Sequence, residues 1–290
     1  MAVFVWFCTE LAHIFFLTEP LSFLQSVSIL RNKNREIETV YRFVGLADCL
    51  LSVYYLREEL PYYCLPEKAD NGYRLEGEEI YHPLIEDCVS NSVIIKEKSV
   101  LLNGSNMSGK TTFIRIIGIN VLLAQTLHTA FARTFALSAP IKIYSALMLA
   151  DDLSDMKEVD TIKEMISRSQ EGTANLFLFD EIFKGTNTTE RIAVAKAVLS
   201  YLNTTDNIIV TSTHDAELAT LLDTEYDLYH FSEVIQDETF SFDYKLKSGP
   251  LYQRNAIRLL EINGFPPTVI RDAYRTIEKI SYPPTSTQPL

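Results

Sequence analysis

Apolar residues recur at helical spacing through FLQSVSIL and again through IETVYRFVGLADCLLSVYYLREEL, with Pro20 and Pro61 as punctuation, which predicts a helical segment over residues 1–62. Over residues 63–98 that period breaks. Pro, Gly and Asn interrupt short β-prone runs such as YRLEGEEIYHPLI, predicting a connecting segment with small strands. From Ser99 onward buried runs and helical patterns alternate: VLLN, a helix to about residue 128, IKIYSALML, a helix over 159–169, ANLFLFD, a helix over 188–202, and NIIVTST. Such alternation predicts an α/β domain over residues 99–280, with a central, mostly parallel sheet flanked by helices and ligands at the carboxyl ends of its strands. YDLYHFSEVI and TFSFDYKL read as a two-stranded excursion, followed by helices over 252–262 and 267–280. The Pro-, Ser- and Thr-rich end, residues 281–290, reads as a disordered tail.

With 290 residues, 47% of them hydrophobic, the chain can bury one large core and carry an appendage. Its formal net charge of -12 excludes a protein that holds nucleic acid by a general basic surface. DNA as a partner would be met locally or through another protein. Cys8, Cys49, Cys64 and Cys88 show no C-x-x-C pairing and no neighbouring histidine pattern, which argues against zinc and against a disulfide framework. Reduced thiols in a cytoplasmic protein are the simpler expectation. MAVFVWFCTELAHIFFL, residues 1–17, is strongly apolar but has no basic flank or small-residue cleavage site, and contains Glu10 and His13. A core or interface helix of something larger, with His13 packed, is favoured over a membrane-dipping one.

Chemistry concentrates in SVLLNGSNMSGKTTFIRIIGIN, residues 99–120. Gly104, Ser105, Asn106, Met107, Ser108, Gly109, Lys110 and Thr111 form G-x-x-x-x-G-K-[ST] between a strand and a helix. Small residues let backbone N–H groups close around phosphates, Lys110 reaches the β and γ oxygens, and the Thr111 hydroxyl holds Mg2+. The helix adds the positive end of its dipole. LFLFDEIFKGTNTTER then places Asp180 and Glu181 at the end of a buried run, one acid to support Mg2+ and the next to activate water. NIIVTSTHDAEL ends a further strand with His214, suited to sensing a γ-phosphate or the attacking water.

In that order, GSNMSGKTT, ALMLADDLSD, LFLFDEIFKGTNTTER, STHDAEL and FDYKLKSGPLYQRNAIRLLEINGFPPTVIRDA resemble the ATPase domain of the MutS family of DNA mismatch repair proteins. The similarity is greatest to a divergent branch whose acidic motif runs DEI-x-x-GTN. It extends over residues 36–280, with IETVYRFVGLADCLLSVYYL and YHPLIEDCVSNSV resembling the end of the lever helix and the entry to the ATPase domain. The resemblance implies a P-loop NTPase of ABC type, preceded by a helical lever fragment and working as a homodimer with ATP near the subunit interface. It implies Gly104, Asn106, Gly109, Lys110, Thr111 and Thr112 on phosphates and Mg2+, Asp180 on Mg2+, Glu181 as the group that activates water, His214 as γ-phosphate sensor, and Tyr244 against adenine.

In two places the chain departs from the family pattern. After Ala150, Asp151, Asp152 and Leu153 the family continues with a Gly-x-Ser segment that reaches the partner's nucleotide, whereas this chain reads SDMKEVDTIKEM. Lys157, Glu158, Val159 and Asp160 offer no glycine, and Ser154 and Thr161 alone supply hydroxyls there. Nothing in the chain resembles the mismatch-reading or clamp domains. Arg271, Arg275 and Lys279, with Arg254 and Arg258 before them, read as a solvated or dimer-contact face. The expectation is a Mg-dependent ATPase whose dimer closure is coupled to DNA repair or another DNA transaction. Its alternative is an ATP-dependent dimerisation switch with little turnover that does not itself bind mismatched DNA, membrane-associated at most through residues 1–17. An ABC transporter ATPase fits less well, since there is no LSGGQ-like segment.

Overall fold

The computed structural model describes residues 1–15, 18–69, 72, 74–105, 107–147, 155–183, 187–203, 207–236, 239–251 and 256–281. Asn106, the segment 148–154, the glycine and first threonine of GTN, Arg254 and the tail 282–290 lie outside the described residues, as do the side chains of His13 and Lys279. The chain divides into two units, Met1–Glu59 and Leu60–Leu290.

Three helices make up the first unit: α1 (Ala2–Phe15), α2 (Thr18–Asn32) and α3 (Asn34–Glu59). Pro20 lies in the first turn of α2, where a missing N–H is tolerated because first-turn amides have no intrahelical acceptor. None of the unit's described side chains is buried. On α3, Ile37, Val40, Tyr41 and Val44 share one face and are exposed. Among the described residues no helix is long and apolar enough to cross a membrane.

The second unit opens with β1 (Glu67–Lys68), β2 (Leu75–Ile80), β3 (Asn91–Ile95), β4 (Ser99–Asn103), α4 (Lys110–Thr126), β5 (Thr134–Leu137) and β6 (Lys142–Ala146). It continues with α5 (Asp155–Ser169), β7 (Asn175–Asp180), α6 (Thr188–Leu202), β8 (Ile208–Thr213), α7 (Ala216–Leu221) and β9 (Tyr226–His230). A hairpin of β10 (Glu233–Gln236) and β11 (Thr239–Phe242), then β12 (Lys247–Ser248), α8 (Ala256–Ile262) and α9 (Pro267–Ser281), complete it.

The larger sheet runs β12-β9-β4-β8-β7-β6, with β9, β4, β8, β7 and β6 mutually parallel and β12 antiparallel at one edge. A smaller sheet runs β1-β5-β2-β3. Alternation along each strand divides the core in two. Val100, Leu102, Leu176, Leu178, Ile208 and Val210 face α4 residues Phe113, Ile114 and Ile117 and the smaller sheet. Their neighbours Leu101, Phe177, Phe179 and Ile209 pack with Ile162 and Met165 of α5, Leu199 of α6 and Leu218 of α7. A strand whose side chains all find an apolar face reads as a continuous hydrophobic run, which is why VLLN, NLFLF and NIIV stand out in the sequence. The guanidinium of Arg74 joins the two sheets, donating to the carbonyls of Lys96, Glu97 and Asn207.

One expectation changes. Tyr226–His230 belongs to the larger sheet, pairing with β4 from Ser99↔Tyr226 to Asn103↔His230, and the excursion is the shorter hairpin β10–β11. YDLYH alternates less cleanly than the inner strands because it stands next to the edge strand, half covered.

Candidate active site

Parallel pairing sets the carboxyl ends of β4, β7 and β8 level. Asn103 stands opposite Thr213, and Asp180 opposite Ser212, so the turn after β4, the acid ending β7 and the histidine after β8 share one edge. The turn after β4 begins at Gly104, whose φ of 150° and close surroundings require glycine: a Cβ there would lie 2.7 Å from the Phe231 carbonyl oxygen. Asn103 Oδ1 accepts from the Gly104 amide at 2.6 Å, fixing the entry to the turn. Gly109, with φ 105°, is the N-cap of α4. Lys110 is buried in the first turn of α4, and its Nζ donates to the carbonyls of Gly104 and Ser105, both at 2.7 Å. The ammonium thus reaches back across the loop that carries it.

Thr111 Oγ1 donates to Asp180 Oδ2 at 2.8 Å, and Ser212 Oγ donates to Asp180 Oδ1 at 2.6 Å. Both oxygens of the carboxylate are thereby oriented. Glu181 comes next in the left-handed region, φ 57°, as does Phe183 at 61°. For non-glycine residues that conformation costs about 1–2 kcal/mol each, and the surroundings must hold it. One holding contact is Glu158 of α5, whose Oε1 accepts from the Phe183 amide at 2.6 Å. His214 Nδ1 lies 3.3 Å from Glu181 Oε1, and its Nε2 lies 3.7 Å from Asp215 Oδ1. Asp215 is in turn gripped by Arg191 of α6 through Nε at 3.1 Å and Nη2 at 2.9 Å. Those hydrogen bonds hold the guanidinium above its ordinary pKa against the opposing effect of burial, with the charges of Asp215 and Glu181 adding to them.

A cavity of about 670 Å3 opens beside these groups. Met107, Ser108, Gly109, Lys110, Thr111 and Thr112 line it, together with Asp180 and Glu181 and with a wall of Ile85–Val89, Asn91 and Tyr244. Tyr244 is 45% exposed and has φ 52°; a Cβ on Gly109 would come within 3.2 Å of its ring. Asn91 places that wall: its Nδ2 donates to the Tyr244 carbonyl at 3.0 Å, and its Oδ1 accepts from the Leu246 amide at 2.7 Å. Leading into the same wall, His82 Nδ1 accepts from the Leu84 amide at 3.2 Å, which requires the neutral ring. Burial, and then the charge of Arg115, lower the His82 pKa, in keeping with that bond.

Two observations suit an anionic ligand with a hard cation. The hydroxyls of Ser105 and Ser108 are buried without a hydrogen-bond partner among the described residues, as groups waiting for an acceptor would be. Thr111 and Asp180 offer one hydroxyl and one carboxylate side by side. Among the described residues no group of three or more His, Cys, Asp or Glu side chains is gathered for a metal. That sparse set fits Mg2+, which keeps several waters and takes its remaining ligands from substrate phosphates.

Of the residues singled out from sequence, the structure brings together Gly104, Ser105, Ser108, Gly109, Lys110, Thr111, Thr112, Asp180, Glu181, His214 and Tyr244, with Met107 87% exposed at the rim. Ser212, Arg191, Asn91 and Glu158 carry no such signal in the sequence. Their partners lie 32, 24, 153 and 25 residues away, beyond any local pattern.

The family model for MutS domain V matches residues 100–281. A mitochondrial DNA mismatch repair protein mutS homolog of Sarcophyton glaucum is 30% identical over 192 residues, 61% of this chain and 19% of that protein. The DNA mismatch repair protein MutS of Listeria welshimeri is 26% identical over 278 residues, 90% of this chain and 32% of that protein. MutS of Roseiflexus is 26% identical over 273 residues, covering 87% of this chain and 24% of the relative. The chain therefore spans between 19% and 32% of the length of these relatives. With the domain V match taking in the sheet, the loop after β4 and the strand-end acids alike, this chain belongs to the MutS family.

Proposed function

We propose that residues 99–280 form a P-loop NTPase of ABC type that binds Mg-ATP and hydrolyses it. Residues 1–62 are read as the end of a MutS-type lever, 63–98 as a connecting segment and 281–290 as a tail. The observation that carries this reading is the convergence of Lys110, the Thr111–Asp180 contact and the Glu181–His214 contact on one sheet edge. Backbone N–H groups of the loop 104–109, with the hydroxyls of Ser105 and Ser108, would hold phosphate oxygens, and Lys110 would exchange its loop carbonyls for the β and γ oxygens. Mg2+, bound through Thr111 and Asp180, would neutralise charge developing on the phosphates. Glu181 would orient the attacking water and take its proton, while His214, steadied by Asp215 and Arg191, would hydrogen-bond the γ-phosphate or that water. Tyr244 would pack on the base.

In this reading two chains close on ATP as a homodimer and pass the closure to a DNA mismatch repair-type transaction, with DNA held elsewhere than on a general basic surface. Steady-state hydrolysis should rise with protein concentration. Glu181→Gln should lower turnover at least ~100-fold with ATP binding retained, and Lys110→Ala should abolish binding. A wild-type chain that hydrolyses no ATP at any concentration, with or without DNA, would refute the catalytic half.

A second reading, an ATP-dependent dimerisation switch with little turnover, is favoured by one observation: the stretch after Leu153, SDMKEVDTIKEM, lacks Gly-x-Ser. Sedimentation with a non-hydrolysable ATP analogue, set beside wild-type turnover of ATP, separates the two. A mass that doubles with the analogue while ATP itself is turned over slowly or not at all supports the switch, and an unchanged mass at high protein concentration counts against both dimer readings.

A further inference from the structure

α5 is anchored by Ile162 and Met165, both buried in the core cluster that also holds Phe179 and Ile182. Glu158 lies four residues before Ile162, on the same helical face, so a carboxylate stands where the period calls for an apolar residue. It is partly buried, and its Oε1 takes the Phe183 amide at 2.6 Å, a short bond between a charged acceptor and a backbone donor. The turn it grips is Glu181-Ile182-Phe183. Its outer residues are both left-handed, and its middle side chain, Ile182, is 7% exposed in the core. Ile182 is buried, the peptide after it is bonded to Glu158, and Glu181 Oε1 lies 3.3 Å from His214 Nδ1.

We infer that Glu158 is a positioning residue: it clamps the Phe183 amide, holds the left-handed turn, and so aims the Glu181 carboxylate at His214 and the cavity. Movement of the start of α5 then misaligns Glu181 without disturbing the loop that binds phosphate. The catalytic consequence rests on the ATPase reading, whereas the clamp itself does not.

The test compares the full chain with Glu158→Ala and Glu158→Gln, reading Phe183 amide exchange, Mg-ATP affinity and kcat against KM. In Glu158→Ala the Phe183 amide should exchange about 10-fold faster, as loss of a charge-assisted hydrogen bond implies, with kcat down by roughly the same factor and KM within about twofold. Glu158→Gln, which keeps an oxygen acceptor, should recover most of both. Unchanged Phe183 exchange in Glu158→Ala overturns the clamp even if activity falls. A rise in KM with kcat unaltered overturns the positioning role, as does a glutamine variant as impaired in kcat as the alanine one. Should the wild type bind Mg-ATP and hydrolyse none, the ATPase reading fails, and Phe183 exchange alone decides the clamp.

Discussion

Arg191 and Asp215 form an ion pair that water barely reaches, with side-chain exposures of 12% and 9%. Taking away the guanidinium would leave Asp215 charged and uncompensated behind His214, and breaking a pair so buried costs about 3 kcal/mol or more. Arg168 offers the contrast: it pairs with Glu164 and Glu171 while 45% exposed, where solvent screens the charges and the pairs add little. Arg191→Ala should therefore lower unfolding stability in urea by about 3 kcal/mol, and Arg168→Ala by far less. Equal losses would show that burial does not set the difference. Lys110, Thr111, Asp180, Glu181 and His214 were legible because each occupies a fixed offset from a loop or a strand end. Arg191 was not, since a guanidinium on a helix announces nothing until the fold delivers Asp215 to it from 24 residues away.

Among the elements, α4 carries Lys110 in its first turn and must lie close on the sheet. Gly118 permits that approach: a Cβ there would stand 2.6 Å from Leu178 Cδ1. Glycine inside a helix costs about 1 kcal/mol relative to alanine, so Gly118→Ala sets a gain in helix propensity against displacement of one methyl at the end of a flexible side chain. The two should nearly cancel, leaving stability within about 1 kcal/mol of wild type. Gly118→Val adds a branch with nowhere to go and should cost about 1–3 kcal/mol. If valine proves as well tolerated as alanine in urea unfolding, the close-approach account fails. Strand existence was readable from buried runs, but strand order was not. YDLYH reads as half of an excursion because nothing local to it records that β4 lies beside it.

For the molecule as a whole, every described residue of the candidate site and of both core clusters comes from Leu60–Leu290. That unit, produced alone, should unfold cooperatively and bind Mg-ATP with an affinity within about threefold of the full chain's, a difference under about 1 kcal/mol. Binding lost in a folded 60–290 fragment would mean that the helices before it contribute to the site. Taken alone, the amino-acid sequence determined the element types, the glycine-bounded loop after β4 and the strand-end acids. Those depend on period, glycine placement and offset, all of which act over a few residues. Tertiary structure decided which strands are neighbours, that Ser212 and Thr111 share Asp180, that Arg191 steadies Asp215, and that Glu158 holds the turn of Glu181. These pairings depend on how the parallel strands are ordered and levelled in the larger sheet and on which helix covers which face, and packing of the whole unit is what chooses among the possible orders.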